Sequence, residues 1–308
     1  MGQSLMAESQ IHLNHTRMKW ARSVWVELRP QQWVKNLLVL PPLLFSRNVF
    51  NAIAAMQALK AVALFCLISS SVYLFNDIRD RRADCLHPVK RRRPLASGEM
   101  DLRTAVAIMA GLLLTALLGG MMMSKMFMLT LVGYLLINLL YSIWLKHLVI
   151  LDVFAIASGF VLRVVAGGVA IDVEISRWIL ICTTLLALFL SFAKRRHELL
   201  LLGSEATNHR RVLEEYDPHY LDMMIGIVTS ATVMSYALYT VSEETVRRFH
   251  TGGLVFTLPF VLYGIFRYLY LVYHKNNGAD PTQSLLSDWP MIINLCLWAL
   301  TVGITIVG

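Results

Sequence analysis

The chain is short of charge. Only 16% of its 308 residues are Asp, Glu, Lys or Arg, against about 25% in a soluble domain. Covering a water-exposed surface with so few charges is difficult, so an ordinary soluble enzyme is excluded. Cysteine is also scarce: Cys66, Cys85, Cys182 and Cys296 form no CxxC pair, which excludes a disulfide framework and a zinc site. The first 19 residues are polar and lack the apolar core of a signal peptide. No low-complexity tract or long linker divides the sequence. One membrane domain, 29–308, is therefore expected behind a polar N-terminal segment and interfacial helix, 1–28. In the latter, Trp20, Val24, Trp25 and Leu28 alternate with Arg17, Lys19 and Arg22, a pattern that suits a helix lying at the membrane surface or a simple topology anchor.

What is abundant is apolar sequence. Apolar residues make up 56% of the chain and the mean hydropathy is +0.57. A helix needs roughly 20 apolar residues to cross a bilayer. Nine stretches qualify, at about 33–54, 58–76, 102–123, 126–145, 149–171, 177–193, 220–241, 253–273 and 289–308. The first contains Pro41-Pro42 and is expected to be kinked or broken there. Backbone groups inside hydrocarbon must be satisfied within the segment, so the expected fold class is an all-α integral membrane bundle of nine transmembrane helices around a cytoplasm-facing polar cavity. Of 28 Lys and Arg residues, 21 fall on one side of this topology and six on the other, with Arg163 inside a span. The positive-inside rule then puts the N-terminus in the cytoplasm and, after nine spans, the C-terminus outside. This topology and the phosphate chemistry described next account for the net charge of +8. A nucleic-acid partner is not expected, since no basic and aromatic residues interleave.

The richest segment is Asn76-Asp77-Ile78-Arg79-Asp80-Arg81-Arg82-Ala83-Asp84-Cys85-Leu86-His87-Pro88-Val89-Lys90-Arg91-Arg92-Arg93-Pro94, directly after the second span. Asp77, Asp80 and Asp84 are spaced i, i+3, i+7 and share one face of a helix. Three like charges on one face call for a cation, and Asn76 adds a neutral oxygen. Mg²⁺ takes one or two carboxylates plus phosphate oxygens, and Lys and Arg also hold phosphate. The competing reading is a solvated loop in which the acids pair with Arg79, Arg81 and Arg82. Lys90, Arg91 and Arg93 stand between Pro88 and Pro94, as a lid over a diphosphate would.

N-D-x-x-D-x-x-x-D at the end of the second span resembles the first aspartate-rich motif of the UbiA-type membrane prenyltransferases. The continuation H-P-x-K-R-x-R-P is similar to the branch of that superfamily that transfers 5-phosphoribosyl to polyprenyl phosphate. Further matching stretches are Arg29-Pro30-Gln31-Gln32-Trp33-Val34-Lys35-Asn36, Tyr141-Ser142-Ile143-Trp144-Leu145-Lys146, Leu151-Asp152-Val153-Phe154, Gly159-Phe160-Val161-Leu162-Arg163-Val164, Ala193-Lys194-Arg195-Arg196-His197-Glu198-Leu199 and Ser235-Tyr236-Ala237-Leu238-Tyr239-Thr240. The resemblance implies a Mg²⁺ site at Asn76, Asp77, Asp80 and Asp84. It also implies substrate-binding residues among Lys35, Asn76, Lys90, Arg91, Arg93, Tyr141, Lys146, Asp152, Arg163, Lys194, Arg195, Glu198 and Arg267.

Many members of the superfamily carry a second aspartate-rich motif in the loop after the sixth span. Here that loop begins Lys194-Arg195-Arg196-His197-Glu198 and contains no DxxxD. A cationic loop suits a sugar carrying a 5-phosphate and a diphosphate, together with a lipid phosphate. The expected reaction is transfer from 5-phosphoribosyl 1-diphosphate to a polyprenyl phosphate in a bacterial plasma membrane, for arabinan-type cell-envelope precursors. The alternatives are an aromatic prenyltransferase using a polyprenyl diphosphate and a lipid-phosphate transporter. A homo-oligomer is left open.

Charges inside the spans need polar surroundings. Asp152 and Arg163 share a helical face but are about 16 Å apart by helix rise, so each needs its own partner. They line a cavity or act as polar glue between helices. Lys35 and Lys146, at helix ends, serve either the site or as snorkelling anchors.

Overall fold

The computed structural model describes residues 20–46, 48, 50–86, 88–202, 213, 215–274 and 287–307. All regular structure among these residues is helical. Helix α1 spans 20–28 and is followed by a 3-10 helix, Pro30–Val39, and a short α2, Pro41–Phe45. The long helices are α3, Ala52–Leu86; α5, Leu102–Met123; α6, Lys125–Ile143; α7, Leu151–Ala170; α8, Arg177–Leu202; α9, Pro218–Val241; α11, Leu258–His274; and α12, Trp289–Val307. Two shorter helices complete the set: α4, Pro94–Ser97, and α10, Glu243–Phe249. Eight of the described helical segments are long and apolar enough to cross a membrane. The expected first span, 33–54, is not one helix: it divides at Leu40 into the 3-10 helix and α2, where Pro41-Pro42 interrupts the hydrogen-bond ladder.

The 3-10 winding has a purpose in packing. At three residues per turn, positions i and i+3 eclipse, so Trp33, Asn36 and Val39 form one edge. Trp33 Nε1 donates to Ser70 Oγ at 3.0 Å and Asn36 Nδ2 to Ser69 Oγ at 3.2 Å, both on α3. The Val39 carbonyl lies against Gly167 of α7, where an added Cβ would sit 1.9 Å from the oxygen. Gly167 thus admits the backbone of the 3-10 segment.

Helix α3 has 35 residues and no Pro or Gly in its interior. Its length is about 52 Å, against roughly 30 Å of hydrocarbon. The apolar stretch fills the membrane and the last turns, with Asn76 to Asp84, continue beyond it.

Helix α5 is capped by Asp101, whose carboxylate accepts from Thr104 N, and α6 by Ser124, the single residue between the two helices. Half of the apolar stretch of α7 is buried, against 11% for α5. Helix α7 is therefore central. Ala157 and Val153 join one core with Phe189 and Phe192 of α8 and Leu221 of α9; Ala166 joins another with Phe65 of α3 and Phe127 of α6. The residues that converge on the ends of α3, α6, α7 and α8 are the polar ones.

Candidate active site

Two polar clusters meet the ends of these helices. The first is built on the projecting turns of α3. Asp77 and Asp84 are each only 3% exposed. Arg93 Nη1 bridges them, 2.8 Å from Asp77 Oδ1 and 2.7 Å from Asp84 Oδ2. Arg29 Nη2 binds both oxygens of Asp77, at 2.6 and 2.5 Å. Lys90 Nζ lies 3.8 Å from Asp84, and Lys146 Nζ, just past α6, lies 3.0 Å from Asp80. The acids therefore do not pair with Arg79, Arg81 or Arg82. Instead Arg79 donates to the Ile143 carbonyl and Arg81 to the Leu95 carbonyl. The cations on Asp77 and Asp84 come from outside the helix.

Arg29 reaches Asp77 from a left-handed backbone position, φ 52°, immediately before Pro30. Glu27 of α1 accepts from Leu95 N at 2.7 Å and shares a hydrogen bond with Asp77. Burial, reinforced by the bond to and the charge of Asp77, pushes its carboxyl up to about 7. Leu95 is pinned on both sides, its N–H by Glu27 and its carbonyl by Arg81, and its side chain is buried. The downstream end of the 90–97 segment is thereby fixed, while Arg91 is exposed. Of the three residues expected as a lid, Arg93 sits on both carboxylates, Lys90 lies near Asp84 and Arg91 is exposed.

Among the described residues no three His, Cys, Asp or Glu converge as a metal-ligand group. The i, i+7 pair Asp77 and Asp84 meets on one cation, while Asp80 turns to Lys146. In the same turns of α3, the Asn76 Oδ1 is buried and has no hydrogen-bond partner among the described residues. This amide oxygen and the two buried carboxylates are oxygen donors of the kind a hard divalent cation such as Mg²⁺ accepts.

The second cluster joins α6, α7 and α8. Arg195 is fully buried, and each of its nitrogens has a partner: Asp152 at 2.5 Å, Glu198 at 2.5 Å and the Tyr141 hydroxyl at 3.1 Å. Tyr216 donates to Asp152 Oδ1 at 2.7 Å and accepts from Ile150 N at 2.8 Å. Burial raises the Tyr216 hydroxyl above its ordinary range, so it stays a donor. Ile150 holds φ 69°, a strained conformation for a β-branched residue, and starts α7 two residues before Asp152. In contrast, Lys194 is half-buried and has no hydrogen bond or ion pair among the described residues.

Arg163 lies deeper in α7. It donates to Asn36 Oδ1 at 2.8 Å, to the Gly159 carbonyl at 2.7 Å and to the Tyr134 hydroxyl at 2.9 Å, with the Tyr134 ring 4.8 Å away. All three acceptors are neutral. Arg163 and Asp152 thus take separate partners, as their spacing requires. Lys35, half-buried, adjoins Asn36 on the 3-10 helix. Arg267 pairs with Asp288 at 2.9 Å and packs on Tyr270, and neither belongs to the two clusters. His87, residues 203–212 and Asp280 lie outside the described residues.

Sequence reasoning left Arg29, Glu27, Asn36, Tyr134 and Tyr216 out of the site. Arg29 and Asn36 delimit the motif Arg29-Pro30-Gln31-Gln32-Trp33-Val34-Lys35-Asn36; nothing local marks the other three.

A sequence profile of the UbiA prenyltransferase family matches residues 40–295. The chain belongs to the UbiA prenyltransferase family. UbiA relatives include a decaprenyl-phosphate phosphoribosyltransferase of Mycolicibacterium smegmatis, 32% identical over 290 residues and covering 91% of each chain. Another of the same name, from Corynebacterium glutamicum, is 34% identical over 277 residues, 88% of this chain and 82% of that one. The UbiA fold is also shared with a solved homologue from Archaeoglobus fulgidus bound to GPP and Mg²⁺, with a TM-score of 0.72 at 20% identity over 93% of this chain and all of that one. The protein is accordingly an all-helical, multi-pass membrane protein of the UbiA family.

Proposed function

We propose that this UbiA protein transfers the 5-phosphoribosyl group of 5-phosphoribosyl 1-diphosphate to a polyprenyl phosphate and releases diphosphate. The observation that carries the reading is the charge distribution of the two clusters. At the end of α3, two buried carboxylates are met by Arg29, Lys90 and Arg93, Lys146 pairs with Asp80, and an Asn76 amide oxygen in the same turns has no partner among the described residues. In the second cluster, Asp152 and Glu198 are both committed to Arg195. Among the described residues, then, the first cluster joins solvent-reachable cations to an unpartnered oxygen, and the acids of the second are enclosed with Arg195. One metal–diphosphate site with surrounding cations suits a phosphorylated sugar donor better than a second acidic cluster would. The relatives named decaprenyl-phosphate phosphoribosyltransferase support the same acceptor and the same transferred group.

Asn76, Asp77 and Asp84 are assigned to Mg²⁺; Asp80, expected to join them, is held by Lys146. When bound, the ion would supply positive charge to the leaving diphosphate. Arg29, Lys90 and Arg93 line that position and add donors for the departing oxygens. The C1–O bond to diphosphate breaks, the electron pair leaves with the diphosphate, and an oxygen of the lipid phosphate bonds to C1 from the opposite face. That oxygen is already anionic near neutral pH, so no strong base is required. Lys194, free among the described residues, together with Lys35 and Lys146, orients the phosphates. Tyr141, Asp152, Arg195 and Glu198 hold the wall that carries Lys194, and Arg163 fixes the 3-10 helix through Asn36. Positioning and electrostatics then carry the reaction. The site faces the cytoplasm of a bacterial plasma membrane, with the N-terminus inside and the C-terminus outside; the product feeds arabinan-type envelope synthesis.

Purified protein with Mg²⁺, radiolabelled 5-phosphoribosyl 1-diphosphate and decaprenyl phosphate is expected to yield lipid-soluble label. No lipid label, with product forming instead from a polyprenyl diphosphate and an aromatic acid, would replace this reading with the prenyltransferase one.

A further inference from the structure

The cluster at the end of α3 is already neutralised by the protein itself. Asp77, Asp80 and Asp84 face Arg29, Lys90, Arg93 and Lys146. Even with Glu27 ionised, the acids only equal the cations. A divalent ion entering alone would leave the pocket with two uncompensated positive charges in a partly buried place, where like charges repel strongly. It would also have to contend with one specific atom. Arg93 Nη1 donates at once to Asp77 Oδ1 and Asp84 Oδ2, at 2.8 and 2.7 Å, and so holds the two carboxylates that a metal would take.

We propose that Arg93 is an exchangeable counter-ion: it occupies Asp77 and Asp84 until a metal arrives together with a diphosphate, and then turns from the carboxylates to the diphosphate oxygens. The geometry permits this exchange. The Arg93 side chain is 28% exposed and, among the described residues, has only these two carboxylate partners, in contrast to the wholly enclosed Arg195. Leu95, two residues on, is fixed by Glu27 and Arg81, so the guanidinium moves without the segment moving. Arg29 keeps its hold on Asp77 throughout, which leaves that carboxylate oriented. The consequence is that the site does not fill with free metal; it takes metal and diphosphate as a unit. The proposal rests on the assignment of Asp77 and Asp84 as metal ligands in the reading above, but not on which group is transferred.

The test is binding, not turnover. Detergent-solubilised full-length protein is titrated calorimetrically with Mg²⁺ alone and with a preformed Mg²⁺–inorganic diphosphate complex, with thermal unfolding followed in parallel. Wild type is expected to bind Mg²⁺ alone at least tenfold more weakly than the complex. Arg93→Met is expected to bind free Mg²⁺ at least tenfold more tightly than wild type and to gain more thermal stability from it. Arg93→Lys, which keeps the charge, is expected to resemble wild type. Equal or weaker free-Mg²⁺ binding by Arg93→Met overturns the proposal. So does wild type that binds Mg²⁺ alone as well as it binds the complex, an arm that needs no variant to fold. Because the probe is inorganic diphosphate, a failure of phosphoribosyl transfer leaves these outcomes readable.

Discussion

The two polar clusters use the same pair chemistry, arginine on carboxylate, in different surroundings. At the end of α3 the bridging Arg93 side chain is 28% exposed; between α7 and α8 that of Arg195 is 1% exposed and that of its partner Asp152 not at all. In the first cluster the cations are shared and reachable by solvent, and one oxygen in the same turns, on Asn76, is left unmatched among the described residues. In the second, each arginine nitrogen has its own acceptor and Tyr216 completes Asp152. The difference separates jobs. A wet, over-shared cluster can exchange partners with a substrate, whereas a dry and completed one can only hold helices in place.

That division is broken most severely by removing the dry arginine. Arg195→Met leaves Asp152 buried without a counter-charge, and loss of one partner of a buried pair costs about 3–5 kcal/mol. A large fall in thermal stability is expected, with transfer lost in proportion to folded protein; an unchanged melting temperature would mean the cluster is not structural. A smaller effect is expected from Gly167→Ala. Its methyl would meet the Val39 carbonyl at 1.9 Å, a backbone atom that cannot rotate away. Overpacking of this kind costs about 1–3 kcal/mol. It should also lower transfer, because the displaced 3-10 helix carries Lys35 and follows Arg29 directly. The smallest effect is expected at Arg247, whose i, i+4 pair with Glu243 is almost fully exposed. Arg247→Ala should change stability by less than about 0.5 kcal/mol and leave transfer intact.

Much of this architecture was legible in the sequence. Apolar runs located the membrane helices, and the break at Pro41-Pro42 was readable because proline removes a donor. The helical spacing of Asp77, Asp80 and Asp84 held, since α3 runs without interruption past them to Leu86. The separation of Asp152 from Arg163 followed from helix rise alone. What the sequence did not display is which cation meets which acid. Arg29 lies 48 residues from Asp77, Tyr216 64 from Asp152 and Asn36 127 from Arg163. Such pairs depend on helix packing, to which local spacing is blind. The 3-10 winding of Pro30–Val39 was hidden for a related reason: it is selected by contacts with α3 and α7. The nearby arginines 79, 81 and 82 looked like natural partners for the acids, yet two of them are spent on backbone carbonyls.

The assignment of the α3 cluster as the reacting site is tested most directly by phosphoribosyl transfer in Asp77→Asn and Asp84→Asn, each shape-conserving and each leaving the second cluster intact. Transfer of label from 5-phosphoribosyl 1-diphosphate to decaprenyl phosphate is expected to fall by about 10²–10³-fold or more, while the membrane-inserted protein keeps its fold by thermal unfolding. Near-wild-type transfer in both folded variants would contradict the account.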